Sequence, residues 1–134
     1  MYMLDTNIMI YAMRHPHDQI VERIITHAGI DICISAITLA ELELGILRSA
    51  DPLKNRQALI AAISGVDILF FDNNAAAAYA TIKNSLMRTG MLIEDMDILI
   101  AAHASSLGYT IVTDNVKHFS RINGLPVENW IERQ

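Results

Sequence analysis

A single cysteine, Cys33, leaves the chain without an intramolecular disulfide. Its neighbours Ile32 and Ile34 place that thiol in a buried strand, as a small apolar group. No stretch of about 18 residues runs free of charge, so no helix is expected to span a membrane. The opening segment lacks the apolar run of a secretion signal, because Asp5 interrupts it. A cytoplasmic location is the expectation that follows. Repeats, low-complexity tracts and linkers are absent. Basic charge is scarce too: ten Lys and Arg against fifteen Asp and Glu give a net charge of −5. Nucleic-acid binders usually carry a basic face, so this balance argues against one. The objection weakens if some of the acids are gathered around a cation. The basic residues are scattered, apart from a small group at Lys117, His118 and Arg121.

What is present suits one compact domain over residues 1–134, with 52% apolar residues for a core. Met1–Leu4 reads as a short, buried, central strand. Thr6 or Asn7 is placed to cap a helix ending before Pro16. A second helix runs from about Asp18 to His27, with Ile20, Ile24 and His27 on one stripe. Asp31–Ile34 is a second strand, and Ile37 to Arg48 a third helix. Pro52 opens the next helix. Asp67–Phe71 is a strand, Asn73–Arg88 an alanine-rich helix, and Asp95–Leu107 a helix closed by Gly108. Tyr109–Val112 is a fourth strand, a short helix or turn follows at Val116–Phe119, and Leu125–Val127 offers a fifth strand. Such alternation marks an α/β fold with a mostly parallel sheet of four to five strands. In such sheets functional groups collect beyond the carboxyl ends of the strands.

Four polar clusters fall at such positions. Asp5-Thr6-Asn7 follows the first strand, and Asp5 there is either a helix cap or a site carboxylate. Thr38-Leu39-Ala40-Glu41 has the form of a capping box, which competes with a site role for Glu41. Glu43 lies about 200° further round that helix, so it is expected on the solvated face. Asp95 reads as a helix cap. Asp97 shares a face with Ala101 and Ala104, sits at the rim of the core, and needs a partner such as a metal ion. Thr113-Asp114-Asn115 follows the fourth strand and reads as a turn or as part of a site. Converging carboxylates repel: two unit charges ~4 Å apart do so by about 4 kcal/mol at an effective dielectric of 20. A cation or a shifted pKa relieves this. Oxygen-only donors favour Mg²⁺ or Mn²⁺, and no Cys/His spacing supports zinc. A hard ion in such a setting fits phosphodiester hydrolysis.

The segments MYMLDTNIMIY, SAITLAELELGILRS, IEDMDILIAAHASSLGYTIVTDN and KHFSRINGLPVENW, in this order, resemble the PIN-domain ribonucleases, and among them the VapC toxins of bacterial toxin–antitoxin pairs. The resemblance covers essentially the whole chain. It implies a PIN-like fold and a Mg²⁺-dependent endoribonuclease, with Asp5 and Asp97 as metal ligands. Glu41 would help hold the metal or its water. Asn115 falls where many PIN domains have a fourth Asp, which leaves one firm metal site. Asp114 is expected to point elsewhere, while Thr6, Asn7 and Thr113 match positions that line or brace the site. The implied substrate is RNA, with tRNA suggested by the family. Arg14, Lys83, Arg88 and Lys117 are candidate phosphate contacts. The implied partners are a VapB-type antitoxin and a second copy of the chain, as a homodimer. An antitoxin needs an apolar groove, for which Met9, Met13, Met87, Met91 and Met96 are candidate lining. Trp130 reads as packing the tail onto the body. Two other readings compete: a PIN nuclease of RNA maturation without an antitoxin, and a receiver-type signalling domain with Asp72 as phosphoacceptor.

Overall fold

The computed structural model describes residues 1–133. Its elements, in chain order, are β1 (Tyr2–Leu4), α1 (Thr6–Arg14), α2 (Gln19–His27), β2 (Ile32–Ser35), α3 (Ala36–Leu47) and α4 (Pro52–Ala62). Then come β3 (Asp67–Leu69), α5 (Asn73–Arg88), α6 (Asp95–Leu107), β4 (Thr110–Val112), α7 (Val116–Phe119) and β5 (Val127–Glu128). The five strands form one sheet in the order β3-β2-β1-β4-β5, and every pairing is parallel. The mostly parallel sheet expected from the alternation is thus wholly parallel.

Side chains of successive strand residues point to opposite faces, and the core divides accordingly. Leu4, Ile32, Ile34 and Val112 face a layer built on α1, α2, α3 and α4. Met3, Cys33 and Ile111 face a layer that includes Leu86 of α5, Ala101 and Ala104 of α6, and Phe119 of α7. The central strands β1, β2 and β4 are therefore short apolar runs, covered on both sides. Burial pushes the Cys33 thiol up to about 12, so it stays an inert core group.

Several ends differ from the sequence reading, and each has a local cause. Helix α1 is capped by Asp5 rather than by Thr6 or Asn7, since the Asp5 carboxylate accepts from the Thr6 N–H. Ser35 caps α3 by accepting from Ile37 N, which puts Thr38 inside the helix and removes the expected capping box. Asp95 does not cap α6. The cap residue is Glu94, without a side-chain bond, and Asp95 pairs instead with Lys83 at 2.7 Å. Gly108 closes α6 at φ 70°, a left-handed conformation that favours glycine.

The tail is anchored by Trp130, only 2% exposed. Its ring meets Tyr2 edge-on at 5.1 Å, the Arg23 guanidinium lies 4.3 Å from its centroid, and its indole N–H donates to Glu128. Truncating so large a buried ring typically costs about 3–5 kcal/mol. Trp130→Ala is expected to lose that much in urea unfolding. A loss below about 1 kcal/mol, the range of surface changes, would mean that the tail contributes no packing.

Candidate active site

Because β1 is central and parallel to β4, the residues just past their carboxyl ends are neighbours. Asp5 N donates to Val112 O, which fixes Asp5 beside the start of the loop after β4. The Asp5 side chain is 1% exposed. Its Oδ1 accepts from Thr6 N at 2.8 Å, and its Oδ2 accepts from the Thr113 hydroxyl at 2.8 Å. Thr113 Oγ1 in turn accepts from Asn115 N at 2.9 Å. One threonine thus holds both a carboxylate and the turn that carries Asn115.

Thr6 links the second acid. Its hydroxyl donates to Glu41 Oε1 at 2.6 Å, so Glu41 on α3 turns toward α1 and the strand ends. Thr38 Oγ1 lies 3.3 Å from Thr6 Oγ1. Since the one Thr6 hydroxyl proton goes to Glu41, Thr38 is the donor in that pair. Asp97 enters from the first turn of α6, half-buried.

The electrostatics follow from this crowding. Burial pushes the Asp5 carboxyl up to about 7, and the charges of Asp97 and Glu41 push the same way. The bonds from Thr113 and Thr6 oppose the rise without cancelling it. Asp97 is also raised, by burial first and then by Glu94 and Glu41, with His118 opposing. None of the influences on Asp5 comes from a basic side chain. A buried carboxylate without a cation is costly, and this one sits beside two more acids.

A hard divalent ion fits that charge, and the available donors are carboxylate oxygens. Among the described residues, no three His, Cys, Asp or Glu side chains are already gathered around one point as a finished metal cage. The fit therefore rests on donor chemistry and uncompensated charge.

The other candidate residues divide. Thr6 and Thr113 are within the network. Asn115 joins it through its backbone, and its Nδ2 lies 2.7 Å from His118 Nδ1. Asn7 is exposed on α1. Asp114 is drawn away by Arg133, with contacts of 2.7 and 2.6 Å, and by Asn129 at 3.2 Å. Glu43 meets Arg56 of α4 at 2.6 Å instead of facing solvent unpaired. Lys83 is engaged by Asp95, which removes it as a ready phosphate contact. Two residues were not anticipated as parts of the site. His118 is one helical turn beyond Asn115, a spacing that could have drawn attention to it. In the sequence Thr38 reads only as a cap.

A family model described as PIN domain matches residues 2–125. A ribonuclease named VapC2 from Haemophilus influenzae is 40% identical over 130 residues, covering 97% of this chain and 98% of the relative. A tRNA(fMet)-specific endonuclease VapC from Shigella flexneri is 37% identical, covering 96% and 97%. A chain in the crystal structure of VapBC2 from Rickettsia felis, bound to a DNA fragment from their promoter, superposes with a TM-score of 0.92. It is 36% identical, with 97% and 98% of the two chains covered. This chain belongs to the PIN-domain family. Within it, the chain groups with the VapC ribonucleases, as the resemblance implied. The receiver reading fails for this PIN domain on topology as well. Receiver-type sheets run 2-1-3-4-5, whereas here β1 lies between β2 and β4. Asp72 caps α5 by accepting from Ala75 N, so it is not placed as a phosphoacceptor.

Proposed function

We propose that this PIN domain is a VapC-type toxin, an endoribonuclease that hydrolyses RNA at the Asp5–Glu41–Asp97 cluster with a divalent ion, Mg²⁺ or Mn²⁺. The observation that carries the reading is the buried Asp5 carboxylate, raised by burial, with Asp97 and Glu41 adding to the rise. Asp5 and Asp97 would hold the ion. Bound there, it supplies Lewis-acid stabilisation of charge on the phosphate and a readily deprotonated water. Thr6 and Thr113 keep the Asp5 lone pairs oriented, and Thr6 fixes one oxygen of Glu41. The other Glu41 oxygen is left to accept the proton of the attacking water. The Asn115 amide, held against His118, orients the substrate side of the site.

The relatives' names support RNA as substrate and tRNA(fMet) as the first tRNA to test. A VapB-type antitoxin is proposed as partner. An apolar groove of about 360 Å³ between α1, α2 and α4, with Met9, Met13, Val21 and Ile25 in its walls, suits an amphipathic segment. Met87, Met91 and Met96 are exposed on the opposite layer and line no part of that groove. With Phe70, 87% exposed, they are the surface proposed for a homodimer. No helix among the described residues is long and apolar enough to cross a membrane.

The test is cleavage of purified tRNA with and without Mg²⁺, comparing wild type with Asp97→Asn. The expected result is Mg²⁺-dependent scission, lost by at least a hundredfold in the variant. Scission in excess chelator, or full activity of Asp97→Asn, would overturn the mechanism.

A further inference from the structure

Beside Glu41 lies a second, smaller cavity of about 170 Å³, between α1, α3 and α4. Its walls are apolar, from Ile10, Met13, Leu42 and Ile46, and its polar groups are Glu41, Arg14, Ser49 and Asn55. Whole drug-sized ligands occupy clefts of roughly 300–1,000 Å³. A cavity of about 150 Å³ lined by apolar side chains takes one benzene ring. The space next to Glu41 therefore matches one ring of a larger substrate whose remainder lies outside.

Gly45 supplies an independent observation. Five of the six glycines have positive φ, a backbone reason for lacking a side chain. Gly45 has none, since it sits within the regular helix α3. Glycine there costs about 1 kcal/mol relative to alanine. Steric crowding does not demand it either, because a Cβ built at Gly45 meets nothing within 4 Å. The direction left open is the cavity that Gly45 lines. Ser49 donates its hydroxyl to Ile46 O, which leaves Asn55 and Arg14 as the donors at the rim. Among the described residues Arg14 forms no ion pair.

We propose that this slot is a base-recognition subsite. It takes one unstacked nucleobase of the RNA strand next to the scissile phosphate, with a single-ring pyrimidine preferred. The base lies between the apolar walls, Asn55 meets its hydrogen-bonding edge, and Arg14 meets the phosphate beside it. RNA is read in this manner, through splayed bases held flat and bonded along their edges. A net acidic protein can thereby bind RNA without a broad basic face. The inference rests on the ribonuclease reading and deepens it.

The test separates the two. Binding of fluorescent oligouridylate and oligoadenylate is measured in excess chelator, where no cleavage occurs, and cleavage positions are mapped with Mg²⁺ on one unstructured RNA of mixed sequence. Wild type is expected to bind oligouridylate at least fivefold more tightly. Gly45→Leu, a good helix former that fills the slot, is expected to lose that preference and weaken oligouridylate binding about tenfold. Asn55→Ala, which leaves α3 untouched, is expected to blur the base preference at the cut. Unchanged binding and cut pattern in both folded variants overturn the subsite. So does a Gly45→Leu variant that binds RNA normally but loses only a partner protein, since the slot would then serve that partner. Absence of cleavage by wild type on any RNA counts against the ribonuclease reading instead.

Discussion

Asp5→Asn is expected to abolish RNA cleavage and yet to raise the melting temperature of the metal-free protein at pH 8. The carboxyl is pushed from 3.8 up to about 7 by burial first, with Asp97 and Glu41 adding to it. An acid whose pKa is raised on folding contributes stability below its unfolded value, and that stability is lost as pH climbs through its folded value. The window here runs from about pH 4 to about pH 7. Above it the protein carries a buried charge whose full cost, at about 1.4 kcal/mol per pKa unit, is on the order of 4 kcal/mol. Asparagine removes the charge and can still accept from Thr6 N, although Thr113 must reverse its role and become an acceptor. That reversal leaves a net gain of about 2 kcal/mol, or on the order of 5–10 °C. The gain is expected to vanish near pH 4, where the wild-type carboxyl is protonated in the fold. It should also shrink when Mg²⁺ is added, because a ligand that binds only the native state stabilises it. Thermal scans at both pH values, with and without Mg²⁺, read all of this. A gain of equal size at pH 4 and pH 8 would assign it to something other than charge.

Such a variant would show a site that is destabilised for the sake of its chemistry. The sequence exposed this cluster because three acids and an amide recur at strand ends and helix starts, where parallel sheets place their sites. A mostly parallel sheet followed from strands alternating with helices, the apolar run Met1–Leu4 was recognisable as a buried central strand, and Ile32 and Ile34 marked Cys33 as a buried thiol. The boundaries at Asn73–Arg88 and Asp95–Leu107 were readable from an alanine run, flanking polar residues and Gly108.

Other features depended on tertiary partners that no local pattern encodes. Thr38 and Glu41 have the spacing of a capping box, but Ser35, one residue beyond the expected end of the strand, takes the cap. That frees Glu41 to meet Thr6, 35 positions away. Asp95 follows the same logic, exchanging a cap for Lys83 on the neighbouring helix. The capture of Asp114 by Arg133 joins the segment after Trp130 to the rim of the site across 19 residues. The slot over Gly45 is visible only once α1, α3 and α4 are packed. In the sequence Gly45 is merely a poor helix former.

Glu41→Gln decides between the two roles that the sequence left open. A capping box accepts glutamine in place of glutamate, because either side chain reaches back to a backbone N–H. If Glu41 served only as such a partner, the change would leave cleavage intact. The structure gives it a different neighbour: Oε1 accepts from the Thr6 hydroxyl, and the amide oxygen of glutamine can do the same. Folding stability is therefore expected to move by less than about 1 kcal/mol. A proton acceptor for water is lost, however, and positioned general bases contribute roughly 10²–10⁴-fold. Cleavage at saturating RNA is expected to fall by that factor, with RNA binding in chelator not weakened. Removing one negative charge should also lower the Asp5 and Asp97 carboxyls slightly, since Glu41 raises both but burial, which dominates each shift, stays. Following both titrations by NMR gives a readout independent of turnover. Full activity in Glu41→Gln would return Glu41 to a purely structural role and leave Asp5 and Asp97 to carry the chemistry alone.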